Sequence, residues 1–277
     1  MLNKQIRCII LQGLILLCWY GIALAQSEKF SWPEGNTMAL SLSFDDGRTS
    51  NLENGIPLLN EYGVQATFFL VPSRVKKNLE GWKSAAKQGH EMANHTMNHP
   101  CSGNFEWSRE HALEEMTLKD MKSEMVQANQ NIEQLLGVRP TVFAYPCGQT
   151  FIGRGYEKKS YVPLVAELFL AGRDWLDEAP VDPAYVDMAQ LTGMKMDDME
   201  FEELLPLIQS AAEKGQWLIL AGHDTGVSGK QTTRLTFLRK LSEYANDPDN
   251  NIWIAPIGTV ASYVKRMRET TLNPITE

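Results

Sequence analysis

Two carboxylates stand side by side at Asp45-Asp46, ahead of Gly47. Adjacent side chains of an extended chain point to opposite sides. One can therefore bind a cation while the other works as a base, and Gly47 permits the sharp turn they need. The same tripeptide also serves as an ordinary solvated turn. His95 and His99 follow at i and i+4. That spacing puts both imidazoles on one face of a helical turn, where they can converge on one metal. The alternative is a pair of surface or core histidines. With Asp46 they form a facial Asp-His-His set with open positions for water and substrate, which hydrolysis needs. His223, beside Asp224, can act as a general acid near neutral pH, or be a core or loop histidine. Phe143-Ala144-Tyr145-Pro146-Cys147-Gly148 can form a tight loop with a free backbone N–H for an oxyanion, or be a plain turn.

These residues need a scaffold, and the chain alternates short apolar runs with helical patterns. Strands are expected at Leu40 to Phe44, Ala66 to Val71, Gly89 to Asn94, Thr141 to Ala144, Phe169 to Gly172, Trp217 to Ala221 and Ile252 to Ala255. Helices are expected at Asn51 to Tyr62, Gly81 to Gln88, within Trp107 to Leu136, and at Tyr161 to Leu168, Glu200 to Lys214, Thr232 to Tyr244 and Thr259 to Arg268. Such alternation implies an α/β fold, with parallel strands inside and helices outside. A single (β/α) barrel closes such a sheet, and chemistry then gathers at the C-terminal strand ends. No glycine-rich phosphate loop follows the first strand, which disfavours an open dinucleotide-binding sheet.

The 277 residues are 43% hydrophobic and 22% charged, enough for one large core. Acidic residues (34) exceed Lys plus Arg (26), a net charge of −8. Nucleic acid and anionic membranes are therefore poor partners, because both call for a basic face. Lys4 and Arg7 precede an apolar run that ends in Ala23-Leu24-Ala25 before Gln26. This reads as a secretory signal peptide over residues 1–25, leaving a domain over residues 26–277. The alternative is an uncleaved anchor, but Gln12 interrupts the short run. The expected product is exported to periplasm, cell surface or medium, with no stable membrane anchor. Cys101 and Cys147 remain after cleavage, and an oxidising compartment permits a disulfide between them.

Taken together, Ser43-Phe44-Asp45-Asp46-Gly47, Gly89-His90-Glu91 with His95-Thr96-Met97-Asn98-His99-Pro100, Phe143 to Gly148, and Trp217 to His223-Asp224 come in the order of a known motif set. The sequence resembles the polysaccharide deacetylase family, the NodB-homology domain of carbohydrate esterase family 4, over about residues 32–266. The resemblance implies a distorted (β/α) barrel that removes acetyl groups from an N-acetylated or O-acetylated poly- or oligosaccharide. It implies a divalent metal, zinc first, with cobalt, nickel or manganese as alternatives. By the same resemblance, Asp46, His95 and His99 are ligands, Asp45 the base and His223 the acid. Tyr145, Pro146 and Cys147 form the substrate and oxyanion loop, with the Cys147 N–H as donor.

The chain departs from the family pattern in three places. Ala144 stands where the third motif often carries an Arg that orients the base, and Arg173 on a later strand end is the candidate substitute. The carboxylate that tunes the catalytic histidine is sought among Asp174, Asp177 and Asp187. Ala221 replaces a Leu in the last motif. If the second and third motifs border one pocket, Cys101 and Cys147 are close enough to bridge; the alternative is two buried thiols. Trp82, Trp107, Phe151, Tyr156, Trp175 and Tyr185 are candidates to line a sugar groove, and Gln149 to Ser160 to form a substrate-side loop. The competing function is a weak or inactive glycan-binding protein on the same fold.

Overall fold

The computed structural model describes residues 29–272. The expected leader, residues 1–25, lies outside the described residues. Among the described residues, the main sheet has eight strands, all paired in parallel: β1 Met38–Phe44, β2 Thr67–Leu70, β3 Glu91–Asn94, β4 Val142–Ala144, β5 Ala171–Arg173, β6 Met194–Lys195, β7 Trp217–Gly222 and β8 Ile252–Ile254. The path runs β5-β4-β3-β2-β1-β7-β6, and β8 pairs with the start of β1. Leu191 bridges to Arg173 on β5, and Met194 pairs with Leu220 on β7. The segment between residues 191 and 195 thus ties the two ends of the path together into the distorted barrel.

Side chains alternate across the strands as the pleat requires. On β7, Leu218 and Leu220 join the large cluster under the outer helices, while Trp217 and Ile219 join the inner one. The inner cluster is lined by small residues, Ala39, Ala93, Ala144 and Ala171, beside Phe69. Ser41 and Ser43 on β1 are also buried, and their hydroxyls donate to Ala255 O (2.7 Å) and Leu220 O (2.8 Å). Buried polar groups with such partners cost little.

Among the described residues, eight α-helices lie between or after the strands: α1 Ile56–Glu61, α2 Pro72–Lys77, α3 Leu79–Lys87, α4 Leu118–Leu136, α5 Val162–Leu168, α6 Phe201–Lys214, α7 Leu235–Asn246 and α8 Ile257–Leu272. The long helix expected within Trp107 to Leu136 begins only at Leu118. Thr117 and Asp120 form a reciprocal capping box there, which fixes a start that hydrophobic periodicity does not mark. Residues 106–115 form short 3-10 turns instead. The two-residue strand β6 lies in a stretch where no strand is expected from the sequence. No helix among the described residues is long and apolar enough to cross a membrane.

Candidate active site

Because the strands are parallel, their C-terminal ends share one edge. Asp45 and Asp46 follow β1, His95 follows β3, Cys147 lies just past β4, Arg173 ends β5 and His223 follows β7. A cavity of about 690 Å³ opens there, lined by Asp45, Asp46, His95, His99, Cys147 and His223.

Asp46, His95 and His99 converge so that one donor atom from each lies within 4.8 Å of the others. They do not converge by the helical turn expected from their spacing. Thr96 (φ 63°) and His99 (φ 54°) are left-handed, and this bend, not a helix, brings the rings 4.7 Å apart. Asp46 (φ 74°) and Cys147 (φ 57°) share that uncommon conformation. Left-handed non-glycine residues are strained and tend to collect at functional sites.

The donor set fits a divalent cation. Asp46 Oδ1 is buried and accepts no hydrogen bond among the described residues, although His99 Nε2 lies 3.4 Å and His95 Nε2 3.8 Å away. An unpaired buried carboxylate oxygen is costly unless a cation satisfies it. His95 Nδ1 meets Ala144 O at 3.0 Å. Donation to that carbonyl leaves the Nε2 lone pair facing the cluster, the usual arrangement around a metal. Burial disfavours the charged form of His99 and its pKa is lowered to about 4, so the ring is neutral and able to ligate at neutral pH. Burial also opposes the charge of Asp46, but His95, His99, Arg74 and Arg48 outweigh it and hold the carboxyl far below its usual range.

Asp45 and His223 each have a buried partner of opposite charge. The fully buried Arg173 donates to Asp45 Oδ1 through Nη2, and its guanidinium lies 4.8 Å from the Phe69 ring centroid. The expected substitute for the missing third-motif Arg is thus placed on Asp45. His223 Nδ1 meets Asp197 Oδ2 at 2.7 Å, and Asp197 Oδ1 accepts from His223 N (3.1 Å) and Thr233 Oγ1 (2.8 Å). Burial lowers the His223 pKa, but the Asp197 bond and the Asp45 charge raise it overall.

The histidine's acidic partner is therefore Asp197 and not Asp174, Asp177 or Asp187. Asp174 caps Trp175 N, Asp177 accepts from Gly193 N, and Asp187 caps Ala189 N. Asp197 follows β6, and the brevity of that strand hid the usual signal of a carboxylate at a strand end.

Tyr145 and Pro146 do not serve the cavity. The Tyr145 ring is buried with its hydroxyl on Ala189 O (2.7 Å), and its N–H goes to Arg173 O (3.0 Å). Pro146 is buried and has no N–H to give. Gly148 and Gln149 spend theirs on Tyr145 O and Pro146 O. Within residues 145–149 this pattern leaves the Cys147 N–H uncommitted. Cys147 is disulfide-bonded to Cys101, which ties this loop to the segment carrying His99.

Among the expected groove aromatics, Trp107 and Trp175 line the cavity. Trp107 lies 5.9 Å from the His99 ring and Trp175 packs edge-on at 4.9 Å from His223. Phe105 and Leu176 complete the apolar wall. Trp82 is instead a core residue against Phe68. Tyr156 and Tyr185 are exposed and outside the cavity. Phe151 borders a second cavity of about 640 Å³, formed by much of the Gln149 to Ser160 stretch. His90 lies off the site, buried against Phe68.

The profile of the family described as "Polysaccharide deacetylase" matches residues 34–158. A peptidoglycan-N-acetylglucosamine deacetylase of Bacillus cereus is 39% identical over 70 residues, covering 25% of this chain and 33% of that protein. Chitin deacetylase 1 of Cryptococcus neoformans is 29% identical over 133 residues, covering 47% and 26%. The chain spans a third or less of the length of these relatives. A Mycobacterium smegmatis structure described as a putative polysaccharide deacetylase superposes with a TM-score of 0.63 at 17% identity, over 87% of this chain and 94% of that one. The barrel is thus shared with that structure nearly end to end, and the profile match over residues 34–158 together with the relatives supports a place in the polysaccharide deacetylase family.

Proposed function

We propose that the chain is an exported, metal-dependent hydrolase that removes acetyl groups from a glycan. One observation carries this reading. Asp45 and His223 open onto the same cavity as the Asp46-His95-His99 cluster, and each is held by a buried partner of opposite charge. A binding surface has no use for two such clamps, whereas a base and an acid need them. Similarity to a peptidoglycan-N-acetylglucosamine deacetylase and a chitin deacetylase supports an N-acetyl hexosamine substrate.

Asp46, His95 and His99 would hold a divalent cation, with zinc suited to this N,N,O set and cobalt, nickel or manganese as alternatives. When bound, the cation supplies Lewis acidity toward the acetyl carbonyl and lowers the pKa of the attacking water. Asp45 takes the proton of that water, its carboxylate aimed by Arg173. The Cys147 N–H donates to the oxygen that gains charge as the carbonyl becomes tetrahedral. His223 then protonates the departing nitrogen or oxygen. The Asp197 bond fixes the proton on Nδ1, so Nε2 faces away from Asp197. Trp107, Trp175 and Phe105 offer apolar faces on which a sugar ring can lie.

The test is acetate release by the purified protein from chitin oligomers, poly-N-acetylglucosamine, peptidoglycan and O-acetylated xylan. Each is run with zinc and with chelator. Release from an N-acetylated glycan, abolished by chelator, supports the reading. Binding without release from any of them would favour a glycan-binding protein on this fold.

A further inference from the structure

The two oxygens of Asp46 have different neighbours. Oδ1 faces the two imidazoles, while Oδ2 takes Arg48 (Nε at 3.0 Å, Nη2 at 2.9 Å) and Arg74 (Nη1 at 3.2 Å). Arg48 is fully engaged: Nη1 also meets Asp224 Oδ2 at 2.5 Å and Nη2 meets Gln231 Oε1 at 3.0 Å. Arg74, on the first turn of α2, makes only the one contact with Asp46 among the described residues. Its side chain is 41% exposed and lines the cavity. A guanidinium carries five N–H donors in a fork that matches a carboxylate.

The arginines and His223, at and just behind the cavity, pair off with one remainder. Arg173 is matched by Asp45, His223 by Asp197, and Arg48 by Asp224. Asp46 is the carboxylate committed to the cation in the function proposed above, on which this inference rests. Arg74 is then the one arginine of the cavity without an anion of its own, in a chain whose net charge is −8. We propose that Arg74 is a specificity-determining residue that receives a carboxylate borne by the acetylated glycan. The substrate class is accordingly an acidic acetylated sugar, not a neutral one. The flanking Phe105 and Trp107 supply the apolar wall for its ring.

The test uses oligomers of alternating N-acetylglucosamine and N-acetylmuramate, and the same oligomers after chemical reduction of their carboxylates to alcohols. Binding is measured calorimetrically in an Asp45→Asn background, whose turnover is expected to be on the order of 1,000-fold slower, with Arg74 intact, Arg74→Gln or Arg74→Lys. The acidic oligomer should bind about tenfold tighter than its reduced form when Arg74 is present, the scale of one charge-assisted bidentate contact. Added salt should shrink the ratio. Arg74→Gln should bring it to about one, and Arg74→Lys should keep part of it. In the enzyme with Asp45, the same ratio should appear in KM and not in kcat. Equal affinities with Arg74 intact, or a preference that survives Arg74→Gln, overturns the assignment. If acetate is released equally well from both oligomers with equal KM, the inference fails and the deacetylase stands. If neither releases acetate while the Arg74-dependent preference holds, the deacetylase reading fails and the carboxylate site stands.

Discussion

Arg173 reaches Asp45 across 128 residues of chain, from the strand position paired in register with Ala144. The third motif of the family often places its arginine where this chain has Ala144. Moving the guanidinium one strand over, at the same height of the barrel, delivers it to the same carboxylate. The pair is buried on both sides, so neither charge has water to fall back on.

Arg173→Met is therefore expected to act on both stability and rate. Removing one partner of a buried ion pair costs about 3–5 kcal/mol, read as a lower denaturant midpoint. The unaimed base should lower kcat on the order of 100-fold, the usual scale of general-base catalysis. Arg173→Lys should fold better yet remain slow, because an ammonium lacks the planar fork. Full activity in Arg173→Met would remove Arg173 from the mechanism.

Asp197 should set the alkaline limit of activity. Its hydrogen bond raises the His223 pKa against the effect of burial. An acid must be protonated to work, so activity falls as pH rises through that raised value. Asp197→Asn withdraws the anion, lowers the His223 pKa, and should move the alkaline limb of kcat to lower pH while reducing its height. An unmoved limb would mean that another group donates the proton.

Much of this was legible in sequence, and the exceptions have physical reasons. Asp45, Asp46, His95 and His223 follow strands marked by their own composition, so the strand-end rule finds them. His95 and His99 suggested a helical turn because spacing alone cannot see the left-handed φ of Thr96 and His99. Asp197 escaped notice because β6 contributes only Met194 and Lys195 to the sheet, too short a run to show a period of two. Tyr145 looks like a site residue because it lies two positions before Cys147, which lines the cavity, yet its hydroxyl satisfies Ala189 O inside the core.

Zinc should stabilise the folded protein through the three ligands. A ligand present at 100 times its Kd adds about 2.7 kcal/mol, seen as a rise in Tm. Asp46→Asn, His95→Ala and His99→Ala should each lose most of that rise, and chelator should reverse it in the parent protein. Two ligand variants with the full rise would place the cation elsewhere.

Breaking the Cys101–Cys147 bond should also register twice. The bridged residues are 46 apart in sequence, and closing such a loop in the unfolded chain is worth about 4 kcal/mol in the chain-entropy model. A mild dithiol should therefore lower Tm. It should lower kcat as well, since the bond joins the loop of the Cys147 amide, the proposed oxyanion donor, to the segment of His99. A reduced protein as active as the oxidised one would separate the bridge from catalysis.

The most direct measurement is acetate release against equivalents of zinc or cobalt added to metal-free protein, with bound metal counted in parallel, for the parent chain and Asp45→Asn. The account predicts release that rises to a plateau at one equivalent in the parent. Asp45→Asn should also bind one equivalent yet lose activity on the order of 1,000-fold, within the range for a general base. Release by metal-free protein, or undiminished release by Asp45→Asn, would contradict it.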